Sequence, residues 1–153
     1  MKVVPYDPKY KNEFVAMNKA WIEELFVLEP EDVAILENVQ ALIDKGGEIF
    51  FTLDDDGKVL ACCMLETRSD VAWEIAKFNA KNSVQNKGAG TLCFKSCLDC
   101  AKEKNIPELL IVSNTKCAAG IHLYKKFGFE EIPVDKKLFP YEQANIAFKK
   151  SLT

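Results

Sequence analysis

The chain has 153 residues, 48% of them apolar and 28% charged, with a formal charge of −3, which is the composition of one ordinary domain, residues 1–153, able to bury a core without staples. Arg68 is the only arginine, so the basic footprint for a phosphate backbone is missing, and so is the run of roughly 20 apolar residues that a membrane span needs; no nucleic acid and no membrane is expected as a partner. The stretch MKVVPYDPKYKNEF lacks the apolar segment of a secretion signal, which predicts a cytoplasmic protein whose six cysteines stay reduced.

Residues 2–5 read as a short strand. Asp7 followed by Pro8 is a helix N-cap with proline in the first turn, and Tyr10, Phe14, Met17, Trp21 and Leu25 follow as an apolar stripe at helical spacing. Glu29-Pro30-Glu31-Asp32 opens a second helix, acidic where the helix dipole favours it, and Gly46-Gly47 ends it. Residues 48–53 and 58–65 are strands joined by the hairpin turn Asp54-Asp55-Asp56-Gly57. A polar turn over residues 66–70 leads into a third strand, 71–80. The next helix is predicted over 91–104, stopped by Asn105 and Pro107. Residues 109–112 are continuously apolar, as in a central strand; 117–127 read as a helix ended by Gly128, and 129–138 and 143–152 as closing strands. The order β-α-α-β-β-β-α-β-α-β-β predicts an α/β (α+β) fold: a mixed, mostly antiparallel sheet of six to seven strands flanked by four helices. Its strand, loop, helix and strand from 71 to 112 form a crossover, which makes part of the sheet parallel.

Two patterns carry chemistry. Cys93, Cys97 and Cys100 fall at i, i+4 and i+7, with a CxxC inside. Zinc takes four ligands, however, and Cys62-Cys63 point to opposite faces of a strand, so no metal is expected and the cysteines read as small buried apolar residues. The second pattern is Gln85-Asn86-Lys87-Gly88-Ala89-Gly90-Thr91, either a plain turn or a seat for phosphate oxygens. It is not a P-loop, because Thr91-Leu92 follows the last glycine, and not a dinucleotide fingerprint, because position 93 is cysteine. What remains is the row of unsatisfied N–H groups at a helix start, which attracts a pyrophosphate where glycines let it approach.

Glu74-Ile-Ala-Lys-Phe-Asn-Ala80, four residues, Gln85 to Thr91 and then an amphipathic helix resemble motif A of the GNAT superfamily of acetyl-CoA-dependent N-acetyltransferases. Ile121-His-Leu-Tyr124-Lys-Lys-Phe-Gly128-Phe129 is similar to that superfamily's Ala-Ile-x-Leu-Tyr-x-x-x-Gly-Phe signature. The resemblance covers nearly the whole chain, including the order of elements. It departs at Gln85, where arginine is common, at Asn86 in place of a frequent glycine, at Gly120 in place of alanine, and at Cys117, where many members carry a cofactor-contacting asparagine.

The resemblance implies that backbone amides of Gln85, Asn86, Lys87, Gly88, Ala89, Gly90 and Thr91 cradle the pyrophosphate of acetyl-CoA, with Lys87 or Lys116 near phosphate and Asn114 as a further contact. Phe78, Asn79 and Ala80 would pair with the pantetheine arm as an added strand would, one of these N–H groups polarising the thioester carbonyl. Tyr124 would bond the leaving thiolate. A phenol near 10 facing a thiol near 8.5 makes full proton transfer uphill by roughly 2 kcal/mol, so a hydrogen bond or a late transfer is favoured. Deprotonating a lysine-like amine at pH 7 costs roughly 4–5 kcal/mol, and Glu74 is the candidate base, directly or through water. His122, two residues from Tyr124 on a helix, points elsewhere.

The implied reaction is direct acetyl transfer within a ternary complex to a primary amine on a small molecule or protein; a CoA-binding sensor on the same fold is the alternative. Glu23, Glu24, Glu29, Glu31 and Asp32 on one side and residues 139–141 on the other would flank the acceptor, with Arg68 and Tyr141 as wall residues. Whether the chain pairs as a homodimer stays open.

Overall fold

The computed structural model describes residues 1–69, 72–81, 88–139 and 142–153, apart from the side chains of residues 31, 68 and 69. Its strands are β1 (Lys2–Pro5), β2 (Glu48–Leu53), β3 (Val59–Ser69), β4 (Ala72–Ala80), β5 (Glu108–Ser113), β6 (Glu130–Ile132) and β7 (Ile146–Ser151); its helices are α1 (Lys11–Leu25), α2 (Pro30–Glu37), α3 (Val39–Asp44), α4 (Ala89–Glu103) and α5 (Ala118–Lys126). The strands form one sheet in the order β1-β2-β3-β4-β5-β7-β6. Every neighbour is antiparallel except β4 with β5, the mixed sheet that the sequence predicts.

Side-chain alternation along the strands divides the core into two layers. Phe51, Cys62 and Met64 pack with Phe14, Leu36 and Val39 beneath α1 to α3. Cys63, Leu65 and Ile75 pack with Phe94, Cys97 and Leu98 on the other face, under α4 and α5. Cys62 and Cys63 thus face opposite ways.

Among the described residues five helices stand where four were expected, because the second breaks at Asn38. That residue sits at φ −113° and ψ 33°, and its side-chain amide donates to the Ala34 carbonyl at 2.7 Å, competing with the helical ladder. Before α1, Pro8–Tyr10 forms a single 3₁₀ turn capped by Asp7. The buried residues of α1 are Phe14, Met17, Asn18 and Ile22; Trp21 and Leu25, expected in the core stripe, are half-buried. Strand β3 runs on to Ser69, where residues 66–69 were expected in a turn. The penultimate strand stops at Ile132, where Pro133 follows with no N–H to donate.

Strand β4 carries the irregularity that shapes the molecule. Its register with β3 steps from Cys62↔Asn79 to Met64↔Ala76, so Lys77 and Phe78 together face Cys63. Two residues opposite one is a bulge, which bends the strand; Lys77 adopts φ +52° to make it. On its other edge β4 pairs with β5 at Trp73↔Leu109 and Glu74↔Leu110. Beyond that point the two strands wall a cavity.

Helix α5 ends in a Schellman motif. The Gly128 N–H donates to the Lys125 carbonyl and the Phe129 N–H to the Tyr124 carbonyl, both at 3.0 Å, with Gly128 at φ +88°. The Phe129 ring then packs 6.5 Å from that of Tyr124. The spacing Tyr-x-x-x-Gly-Phe is therefore the spacing of a helix end that locks its own tyrosine. Phe94, fully buried, supports the cluster from α4, its ring 5.4 Å from Phe78 and 5.5 Å from Tyr124.

Gly128→Ala places a Cβ in the left-handed region and is expected to destabilise the fold by about 1–2 kcal/mol, read as a lower urea midpoint. A second expectation concerns pH. Burial pushes the Cys62 thiol from 9.0 up to about 12 and the Cys100 thiol up to about 11. Below 9 both states keep these protons and stability does not depend on them. As pH rises from 9 toward 11–12 the unfolded chain ionises first, so stability falls; urea melts on the two sides of that threshold measure the loss.

Candidate active site

The bend in β4, the start of α4 and the first turns of α5 enclose a large cleft of ≈ 860 Å³, lined by Phe78, Asn79, Ala80, Gly88, Gly90, Thr91, Lys116 and Tyr124 among others. A smaller cavity of ≈ 120 Å³ opens between β4 and β5, walled by Trp21, Ile22, Phe26, Glu29, Asp32 and Glu74. Trp21, Phe78, Ser113, Cys117 and Tyr124 line both, so the two spaces share one junction.

The two glycines at the mouth of the large cleft serve different ends. Gly88 is the N-cap of α4 at φ +88°, a backbone state that side chains disfavour. At Gly90 a Cβ would lie 3.3 Å from the Phe78 ring and 3.5 Å from Ala80, so its small size brings α4 against the end of β4. The Leu92 N–H makes the first helical bond, to the Gly88 carbonyl at 2.9 Å. The N–H groups of Ala89, Gly90 and Thr91 precede it, at the positive end of the helix. Ala89 itself is fully buried, and its carbonyl accepts from the Thr52 hydroxyl at 2.9 Å.

Tyr124 is 6% exposed. Burial, reinforced by the nearby Cys63 and Cys117, holds its phenol well above the ordinary value of 10.0, so it is a neutral O–H donor. Its hydroxyl abuts the first turn of α5, where a Cβ at Gly120 would lie 3.2 Å from it.

Glu74 is 1% exposed, in the wall of the small cavity. Asp32 is 6% exposed and uses both carboxylate oxygens: Oδ1 pairs with Lys77 Nζ at 2.7 Å, and Oδ2 accepts from the Glu29 N–H at 3.1 Å. Both partners of this ion pair are nearly buried, so removing either strands a charge at a cost of about 3–5 kcal/mol. The roof of the cavity is a tie between two loops. The Glu142 N–H donates to Glu29 Oε1 at 3.1 Å and Gln143 Nε2 to the Val27 carbonyl at 3.0 Å. Lys116 Nζ sits 5.4 Å above the Phe26 ring beside them.

Most of the residues singled out in the sequence thus converge. Phe78, Asn79, Ala80, Gly88, Gly90, Thr91, Lys116 and Tyr124 share the large cleft, and Glu29, Asp32 and Glu74 the small one. Asn114 lines the small cavity only, and its amide is engaged at both ends, donating to the Gln143 carbonyl at 2.7 Å and accepting from the Lys116 N–H at 2.9 Å. Glu24 and the exposed His122 border the large cleft. Gln85, Asn86, Lys87 and Tyr141, with the side chains of Glu31 and Arg68, lie outside the described residues. Sequence reasoning missed the Asp32–Lys77 pair, the junction residues Trp21 and Ser113, and the bulge, for which a lysine gives no local signal. No group of three or more metal-ligating side chains occurs among the described residues, and no described helix is long and apolar enough to cross a membrane.

Comparisons with known proteins agree with this geometry. The model of the acetyltransferase (GNAT) family matches residues 12–129. An acetyltransferase of the GNAT family from Staphylococcus aureus is similar in structure, with a TM-score of 0.88, 18% identity and 99% of each chain covered. So is yncA from Salmonella typhimurium, solved with its cofactor acetyl-CoA, at a TM-score of 0.75 and 16% identity over 100% of this chain and 94% of that one. The PaiA N-acetyltransferase from Thermoplasma acidophilum, in complex with coenzyme A, has a TM-score of 0.73 and 13% identity over 99% of each. No curated protein matches the sequence. With the family model covering most of the chain and the two-cleft fold in place, the protein belongs to the acetyltransferase (GNAT) family.

Proposed function

We propose that the protein transfers the acetyl group of acetyl-CoA directly to a primary amine in a ternary complex. The observation that carries this reading is the junction: a cleft that begins at a helix N-terminus meets an acid-bearing cavity at a buried, neutral phenol. The chain's own residues supply each part. N–H groups at the start of α4 would hold the pyrophosphate, with Lys116 beside it and Gln85, Asn86 and Lys87 preceding it. Backbone groups from Phe78 to Ala80 would take the pantetheine arm as an extra strand. The amine nitrogen would attack the thioester carbon, the carbon–sulfur bond would break, and the Tyr124 O–H would stabilise the departing thiolate. Because burial raises the phenol further above a thiol, a hydrogen bond rather than early proton donation is the role that fits.

Glu74, in the wall of the small cavity, is the proposed base for the amine proton, directly or through water. The acceptor is an amine on an apolar stem, carried by a small molecule or a protein, since Trp21, Ile22 and Phe26 wall its cavity and Glu29 and Glu74 add negative charge. Free cysteines at all six positions fit a cytoplasmic setting. A CoA sensor on the same fold is the second reading; it leaves a buried phenol at the sulfur position without a purpose.

Thiol release across a panel of amines is expected to fall about 100-fold in Tyr124→Phe, with calorimetric affinity for acetyl-CoA preserved. Equal turnover in the variant removes the phenol from the mechanism, and an absence of binding heat removes the cofactor. Gly120→Ala separates stability from activity. The added methyl raises helix propensity by about 1 kcal/mol while pressing on the Tyr124 hydroxyl, so the melting temperature is expected to rise or hold as kcat declines. An unchanged kcat would show that the hydroxyl has no fixed task.

A further inference from the structure

Beneath α1, inside an otherwise apolar layer, lies a polar knot. Asn18 and Cys62 are fully buried and Asn79 is 7% exposed. Asn79 Nδ2 donates to Asn18 Oδ1 at 2.9 Å and lies 3.4 Å from Cys62 Sγ. Asn18 Nδ2 donates to the Phe14 carbonyl at 2.8 Å and reaches Cys62 Sγ at 3.6 Å. Two donors then converge on one acceptor: Cys62 Sγ–H at 3.2 Å and Asn79 Nδ2 at 3.3 Å both meet the Lys77 carbonyl. Burying two amides and a thiol is costly unless they satisfy one another, so the network calls for a reason beyond packing.

Its target supplies one. Lys77 holds φ +52°, a strained state that persists only where the surroundings over-determine it. Its carbonyl belongs to the Lys77–Phe78 peptide at the centre of the bulge. A peptide is planar, and none is cis among the described residues, so the Phe78 N–H points opposite to the clamped carbonyl. Register with β3 passes over both residues, and Phe78 walls both cavities beside Tyr124.

We infer that Asn18, Cys62 and Asn79 are positioning residues for acetyl transfer, fixing the Lys77–Phe78 peptide so that the Phe78 N–H is the donor to the thioester carbonyl. This rests on the acetyltransferase reading above and deepens it. The donor is aimed before the cofactor arrives, so no reorganisation is needed as negative charge builds on the oxygen. Burial keeps the Cys62 thiol protonated, pushed up to about 12, and its S–H therefore stays available as a clamp. Asn79 acts on the cofactor through its neighbour's peptide; its amide is already committed inside the knot.

The test is infrared spectroscopy of isotope-labelled acetyl-CoA bound to the full chain, which needs no knowledge of the acceptor. In the wild type the thioester carbonyl stretch is expected to move to lower frequency on binding. Asn79→Ala should return it toward the free value, lower kcat on the order of 10- to 100-fold, and weaken acetyl-CoA more than CoA, which has no acetyl carbonyl. Cys62→Ser retains a hydroxyl donor and should keep most of the shift; Cys62→Ala should lose part of it, and serves if Asn79→Ala does not fold. A wild type that binds acetyl-CoA with an unshifted carbonyl, or variants that keep both shift and turnover, overturns the inference and leaves the acetyltransferase reading intact. A wild type that does not bind acetyl-CoA at all overturns both.

Discussion

Everything in the site depends on the parting of β4 from β5. The two parallel strands are in register at Trp73 and Glu74, then the bulge at Lys77 and Phe78 bends β4 away. Backbone groups released from a ladder inside a protein must find partners elsewhere. On the proposed reading a thioester arm running alongside β4 would offer such partners, and a bent strand, rather than a pocket of side chains, would suit a cofactor whose arm carries amides of its own. The same divergence opens the small cavity, so one backbone irregularity would make room for both proposed reactants.

Rigidity arrives from the opposite layer. Tyr124 is held by its helix end through the paired bonds of Gly128 and Phe129, and by rings of Phe94 and Phe148 at 5.5 and 5.6 Å. Phe94 also touches Phe78, the residue at the bulge. A single buried phenylalanine thus fixes the distance between β4 at Phe78 and α5 at Tyr124, the strand and the helix that would present the acyl group and receive the thiolate. Each large apolar side chain buried this way contributes about 1.5–3 kcal/mol, which makes the aromatic cluster a structural element as much as a catalytic support.

Much of this was legible in the residues. The hairpin turn between strands 48–53 and 58–65, the apolar run at 109–112 and the Gly-rich opening of α4 predicted the order of elements and the crossover, because those signals are local. The Tyr-x-x-x-Gly-Phe spacing named the catalytic candidate and also encodes the cap that holds it. Three features were illegible, each for its own physical reason. Lys77 at positive φ has no local signal, since only the knot made by Asn18, Cys62 and Asn79 selects that conformation. The break at Asn38 depends on its side-chain amide taking the Ala34 carbonyl in competition with the helical ladder, which a helix-compatible residue type does not announce. Trp21 looked like a core residue because its spacing matches Phe14 and Met17, yet it fell at the helix edge that borders the clefts.

The roof over the small cavity differs in kind from these supports. It is closed by two exposed hydrogen bonds between the segment after α1 and residues 142 and 143, each worth about 0.5–1.5 kcal/mol net. Thermal agitation undoes ties of that strength often, whereas the start of α4 is anchored by the fully buried Ala89 and Phe94. On the proposed reading the amine and the nucleotide carrier would come and go through separate doors, and traffic through the first need not disturb what waits behind the second.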